Sequence, residues 1–239
     1  MSASEPAWFI TTHWSAVLAA TGNSTRARVA LEKLCRSYWY PLYAFVRRRG
    51  HGPHDAEDLV QGFFATCLEK NYLGAVDQGK GRFRSFLLIA LKHFLANEWD
   101  KSTTQKRGGK HPVISLDSLT AEQRYALEPA DEFTAEKLFE RRWALTLLDQ
   151  VVSRLREEQV AAGRLDQFEM LKESITSGGR GTPYAQIAKQ LGSSEGAIKV
   201  AVHRLRQRYR KLLEEEIANT VASPDDVAEE RRHLLRALS

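Results

Sequence analysis

Between Lys199 and Lys211 the chain carries six lysines and arginines and no acid. On a helix at about 100° per residue, Ile198, Val202, Leu205 and Tyr209 share one face. Gly196, Lys199, Val200, His203 and Gln207 share the opposite one, flanked by Arg206 and Arg210. Such a face suits a nucleic-acid groove. Lys199 and His203 sit one turn apart and can reach base edges, with Val200 between them for a thymine methyl. Arg204, Arg206, Arg208 and Arg210 suit phosphates. A solvated cationic helix in a bundle is the competing reading, and the charge run alone favours it. The residues before it tip the balance. YAQIAKQLGSSEGAIKVAVHRLR, from Tyr184 to Arg206, puts Ile187, Ala188, Leu191 and Ile198 where two crossing helices need apolar residues and Gly192 where the chain must turn, the spacing of a helix-turn-helix. The residue after the turn glycine departs from the usual apolar type, being Ser193. Ser193 or Ser194 can cap the second helix.

Two further groups of side chains invite chemistry. Asp55, Glu57, Asp58 and Gln61 form an acidic and amide surface at a helix start, suited to polar contacts with a protein partner or simply to the helix dipole. Lys80, Arg82 and Arg84 surround a glycine-containing loop, followed by Lys92 and Asn97; they offer the positive charge and hydrogen bonds that unwound single strands require. Phe83, Phe86 and Trp99 are aromatic types more often found in cores, with Trp99 the best candidate for a stacking platform. His51, His54 and Cys67 are too sparse a set to suggest a metal site. There is no glycine-rich phosphate loop, Ser-His-Asp order or His-Glu-x-x-His helix, so no catalytic residues, metal or cofactor are expected and the chain is not read as an enzyme.

The elements that must position these residues are helices. Apolar spacings of three and four recur along the 239 residues, and alternating β-branched runs are missing, so the fold class is all-α. The expected helices cover about Arg26 to Arg49, where Pro41 should end or kink the run, Asp55 to Lys70, and Phe83 to Lys101. Residues 102–133 contain STTQKRGGKH and little apolar periodicity, and are expected to be a flexible linker. A second helical block begins near Thr134, a good N-cap, and includes a shorter helix around Phe168, Leu171 and Ile175, closed by a glycine run at residues 178–181. A final helix is expected from Asp225 to Leu238.

Composition sets the outer limits. With 43% hydrophobic and 27% charged residues the chain has an ordinary globular balance. Its net charge of +5 matters because the excess is clustered. Two cysteines within apolar stripes suggest buried thiols in a reducing compartment, not a disulfide. No run approaches the roughly 18 apolar residues of a membrane helix, and residues 1–20 lack the basic start of a signal peptide, so a cytoplasmic protein without membrane insertion is expected.

In ordered succession, these segments resemble the extracytoplasmic-function class of bacterial sigma factors, within the housekeeping-type sigma superfamily. DAEDLVQGFF (residues 55–64) is similar to the core-enzyme-binding helix of sigma region two. FRSFLLIALKHFLANEWDKSTTQKR (83–107) is similar to the following helix, which meets the promoter −10 element. YAQIAKQLGSSEGAIKVAVHRLRQRYR is similar to region four, the reader of the −35 element. The resemblance spans about residues 26–213 and implies an N-terminal extension over 1–25, region two over 26–101, a linker over 102–133 in place of region three, and region four over 134–213.

It also implies RNA polymerase core enzyme and promoter DNA as partners, and admits an anti-sigma factor or other regulator. Asp55, Glu57, Asp58 and Gln61 would meet the polymerase. Lys80, Arg82, Arg84, Lys92, Asn97 and Trp99 would meet the −10 element. Gly196, Lys199, Val200, His203, Arg204, Arg206, Arg208 and Arg210 would meet the −35 element. A free-standing helix-turn-helix regulator is the alternative. Residues 214–239 exceed the resemblance; their seven acids against three arginines, with a partial apolar face at Val227, Leu234, Leu235 and Leu238, suggest a regulatory or docking helix, or one that completes the bundle.

Overall fold

A computed structural model of the chain describes residues 25–69, 82–104, 118–128, 133–176 and 182–239. Among the described residues there are nine α-helices and no strand, an all-α fold: α1 (Thr25–Arg48), α2 (Pro53–Glu69), α3 (Phe83–Thr104), α4 (Ser118–Ala126), α5 (Ala135–Ala161), α6 (Leu165–Thr176), α7 (Tyr184–Gln190), α8 (Glu195–Ala218) and α9 (Val227–Leu238). A 3₁₀ turn at Pro224–Asp226 precedes α9. The chain divides into two compact units, one of Met1–Thr146 with Ile217–Ser239 and one of Leu147–Glu216.

The first unit buries the aromatic faces of its helices together. Tyr38, Leu42 and Phe45 of α1, Phe63 and Phe64 of α2, Phe83, Leu87 and Leu91 of α3, and Leu138, Phe139 and Trp143 of α5 are all removed from water. Tyr38 meets the Phe83 ring edge-on at 5.0 Å, and Phe63 meets Phe94 at 5.8 Å. Such edge contacts add to the burial energy of rings this size. Pro41 does not end α1. The helix continues to Arg48 with the proline inside it, because the apolar residues on both sides of the break are buried in the same core.

Local signals explain where the helices begin. Pro53 takes the first position of α2, where the missing N–H costs nothing, and the Ala56 N–H donates to the Gly52 carbonyl at 2.9 Å. Thr134 caps α5 as expected, its hydroxyl accepting from the Lys137 N–H at 3.2 Å. Cys67 is buried and free, and burial pushes its thiol up to about 12. The side chain of Cys35, the N-terminal extension and the glycine run at 178–181 lie outside the described residues.

The expected linker contains more structure than its composition suggests. Residues 118–126 form α4, whose Glu122 accepts from the Tyr43 hydroxyl at 2.6 Å and from Arg47 Nε and Nη2 at 3.0 and 2.8 Å. Just beyond the helix, Glu128 accepts from the Tyr40 hydroxyl at 2.9 Å. Short helices are marginal by themselves, and here polar side chains tie one to α1. The boundaries also fall differently from those expected: residues 134–146 and the C-terminal segment 217–239 belong to the first unit.

In the second unit, Val151 and Leu155 of α5, Phe168 and Leu171 of α6, Ile187 and Ala188 of α7, and Ile198, Val202, Leu205 and Leu212 of α8 form the core.

Candidate nucleic-acid interface

The turn between α7 and α8 is built by three local devices. Gly192 adopts φ +59°, a left-handed conformation that a side chain would strain. The Ser193 N–H donates to the Ala188 carbonyl at 2.9 Å and closes the end of α7. Ser194 caps α8, its hydroxyl accepting from the Ala197 N–H at 3.2 Å. Ser193 therefore serves the turn through its backbone.

With Ile198, Val202 and Leu205 turned inward, α8 presents Gly196, Lys199, Val200, His203, Gln207 and Arg210 to solvent. Lys199 is 60% exposed and pairs with Glu195 at 2.7 Å, a contact that raises the ammonium above its ordinary value. Arg204 and Lys211 are exposed along the far side of the same face. Val200 is half exposed, an apolar side chain on the same face.

Two of the expected phosphate ligands are engaged elsewhere. Arg206 donates from Nε and Nη2 to the Ser174 carbonyl at 3.2 and 2.6 Å. Arg208 pairs with Glu158, Nε to Oε2 at 2.8 Å and Nη2 to Oε1 at 2.5 Å, and Glu215 lies 3.5 Å from its Nη1. Both arginines stand at the edges of the exposed face, where the arc of α8 curves back onto α5 and α6. A side chain at such an edge reaches its own unit as readily as solvent. The exposed cations of this helix are Lys199, itself paired with Glu195, and Arg204, Arg210 and Lys211.

Arg164, whose Nε donates to Gln159 Oε1 at 3.1 Å, lies beside them, a residue that periodicity gave no reason to single out. It follows Gly163, which turns the chain at φ +66° between α5 and α6. That turn sets Arg164 and Gln167 beside Val200 and Arg204 along a groove of about 560 Å³, floored by Phe168 and Leu205.

The first unit carries the other two expected surfaces. On α2, Asp55 and Asp58 are exposed, Glu57 and Gln61 half-buried, and Gln61 Nε2 donates to Glu57 Oε1 at 3.1 Å. The opposite face, Ala56, Val60, Phe63 and Phe64, is buried, so the four polar residues stand together on the outside.

The residues expected at the −10 element separate into two groups. Lys80 lies outside the described residues. Lys92, Asn97 and Trp99 project outward from α3, and Trp99 is 69% exposed. Trp99 and Lys92 line a hollow of about 270 Å³ together with Arg49, His51, Leu95 and Ala96. Arg49 and His51 come from the α1–α2 turn, where Gly50 has φ +93°. Sequence assigned neither to this surface, and considered His51 only as a metal ligand, since they are neighbours of Lys92 only in the fold. Lys92 also pairs with Glu136 at 2.8 Å, which holds that carboxyl below its ordinary range.

Arg82 and Arg84 belong to the second group and correct the expectation for Arg84. Its side chain is 3% exposed, donates Nε to Glu230 Oε1 at 2.8 Å and Nη1 to Glu140 Oε1 at 2.6 Å, and lies over the Trp143 ring at 5.1 Å. Burial works against its charge, and the Glu230 and Glu140 carboxylates more than offset that, so the guanidinium stays above its ordinary value. A cation enclosed in this way is part of the core. Arg82 pairs with Glu229 and, at 3.1 Å, with Glu230.

Among the described residues no three His, Cys, Asp or Glu side chains cluster as metal ligands, and no helix is long and apolar enough to cross a membrane. No family model, curated protein or solved structure matches the chain.

Proposed function

We propose that this chain is a sigma factor: it binds bacterial RNA polymerase core enzyme and directs it to promoters, with catalysis left to the polymerase. The observation that carries the reading is the capped helix-turn-helix of the second unit, whose α8 turns Lys199, Val200 and His203 outward beside Arg204 and Arg210. A helix of this kind fits the major groove, where an ammonium and an imidazole one turn apart reach base edges while the outer cations meet phosphates. Support from the first unit comes from two places. The outward acids of α2 suit a basic partner surface, and Trp99 beside Arg49 and Lys92 combines an aromatic face with positive charge, the pairing that single strands favour.

Co-purification with core enzyme and transcription from promoter libraries test the proposal. A sigma factor needs core to select promoters, whereas a free-standing regulator binds its operator alone. Within this reading, Asp58→Lys should lower core affinity while leaving the fold intact, because an exposed first-turn charge is worth only about 0.3 to 1 kcal/mol to its helix. Unchanged core affinity in the folded variant would remove α2 from the polymerase contact.

A further inference from the structure

We propose that α9 is an acidic latch that occupies the arginines at the start of α3 and holds the first unit closed to single-stranded nucleic acid. The proposal rests on the reading that this part of α3 meets unwound DNA, and it adds that the chain itself competes for the same cations.

Three of the cations that sequence assigns to the −10 element each face carboxylates of their own unit. Arg82 meets Glu229 and Glu230, Arg84 meets Glu230 and Glu140, and Lys92 meets Glu136. A carboxylate accepts from a guanidinium with the same forked geometry that a phosphate uses. With α9 in place, Arg82 and Arg84 face three carboxylates. With α9 removed they face Glu140 alone.

The latch has a fixed part and an exchangeable part. Glu230 is fully buried against Arg84, Leu234 is buried beside it, and His233 Nε2 lies 2.8 Å from Glu140 Oε2. Glu229 is half exposed and its partner Arg82 retains contact with solvent. A nucleic-acid phosphate can therefore displace Glu229 from Arg82 without dismantling the core. The segment leading into α9 allows such a division. Ser223 caps the 3₁₀ turn by accepting from the Asp225 N–H at 3.3 Å, and Pro224 separates α9 from α8, so α9 is a distinct element and not a continuation of the recognition helix.

The test measures binding of a fluorescent oligothymidylate to the full chain by anisotropy, across a salt series. Glu229→Gln should bind several-fold more tightly at low salt, with the slope of log affinity against log salt steeper by about 0.7, the increment for one more neutralised phosphate on a single strand. A chain ending at Ala222 should gain more. Should that truncated chain fail to fold, Glu229→Gln decides, because its side chain is half exposed and Arg84 keeps Glu230. Glu157→Gln removes an exposed acid of the second unit and should change neither affinity nor slope. A folded Glu229→Gln protein that binds like the unmodified chain overturns the latch, as does an equal gain in Glu157→Gln. Transcription with core enzyme reads the sigma assignment separately: a chain that supports it while Glu229→Gln shows no gain loses the latch alone.

Discussion

Replacing Arg84 by Met should destabilise the first unit more than any surface substitution, because it leaves Glu230 buried without its principal cation. Neither group reaches solvent, Arg84 being 3% exposed and Glu230 fully buried. Removing one partner of a buried pair costs about 3 to 5 kcal/mol. Arg82 still lies 3.1 Å from Glu230, and His233 still faces Glu140, so the loss belongs at the lower end, about 3 kcal/mol. That is a large share of a typical domain's 5 to 15 kcal/mol. With a urea slope of about 1 to 3 kcal/mol/M, the midpoint should fall by roughly 1 to 3 M. The double substitution Arg84→Met with Glu230→Leu removes both charges and should recover most of the loss, since apolar replacement of a buried pair is often neutral or stabilising. Circular dichroism during urea titration reads both. An Arg84→Met midpoint within about 0.3 M of the unmodified chain, or a double variant no better than the single, would refute the argument that Glu230 depends on this guanidinium.

If α8 reads promoter DNA as proposed, Lys199→Ala should change preference at one or two −35 positions, at about 1 to 3 kcal/mol on the favoured sequence. Arg204→Ala should weaken all sequences alike and reduce the salt slope by about one; equal, sequence-independent losses from both would show that a different face of α8 enters the groove. Arg208→Ala should act through stability: its contact with Glu158 is about one-third exposed, so after solvent screening a loss of about 0.5 to 1 kcal/mol is expected in thermal melts, with little change in salt slope. Cys67 should resist alkylation in the folded chain at pH 8, because burial raises its thiol to about 12 and leaves almost no thiolate below that pH; its labelling rate should follow unfolding.

The helices and the helix-turn-helix were legible because their signals are local. A period of 3.6, a turn glycine and a capping serine act over a few residues, and α3, α7, α8 and the caps at Thr134 and Ser194 follow from them. What depended on distant partners was not legible. Arg84 reads as a surface cation until Glu230, 146 residues away, is set against it. Arg206 and Arg208 belong to a basic run, yet each has a specific acceptor in α5 or α6. The α4 helix hides in a stretch of linker-like composition because polar pairs from Glu122 and Glu128 fix it, and ion pairs have no periodicity. Arg49 and Arg164 were missed, and His51 was weighed only as a metal ligand, because turns bring all three to their sites.

The division of the chain has a consequence for how it is made. Leu147–Glu216 is contiguous in sequence, whereas the unit that begins upstream of it also draws on Ile217–Ser239. The Phe83 N–H at the head of α3 donates to the Thr220 carbonyl, and Arg84 waits for Glu230. At about 5 to 20 residues per second, the 146-residue interval between Arg84 and Glu230 lasts roughly 7 to 30 s. During synthesis the first-made helices therefore hold the Arg84 guanidinium beside Trp143 with Glu140 as its one carboxylate partner until Glu230 is made. That interval is when a chaperone would find Tyr38, Phe83 and Trp143, all buried in the finished unit, incompletely covered.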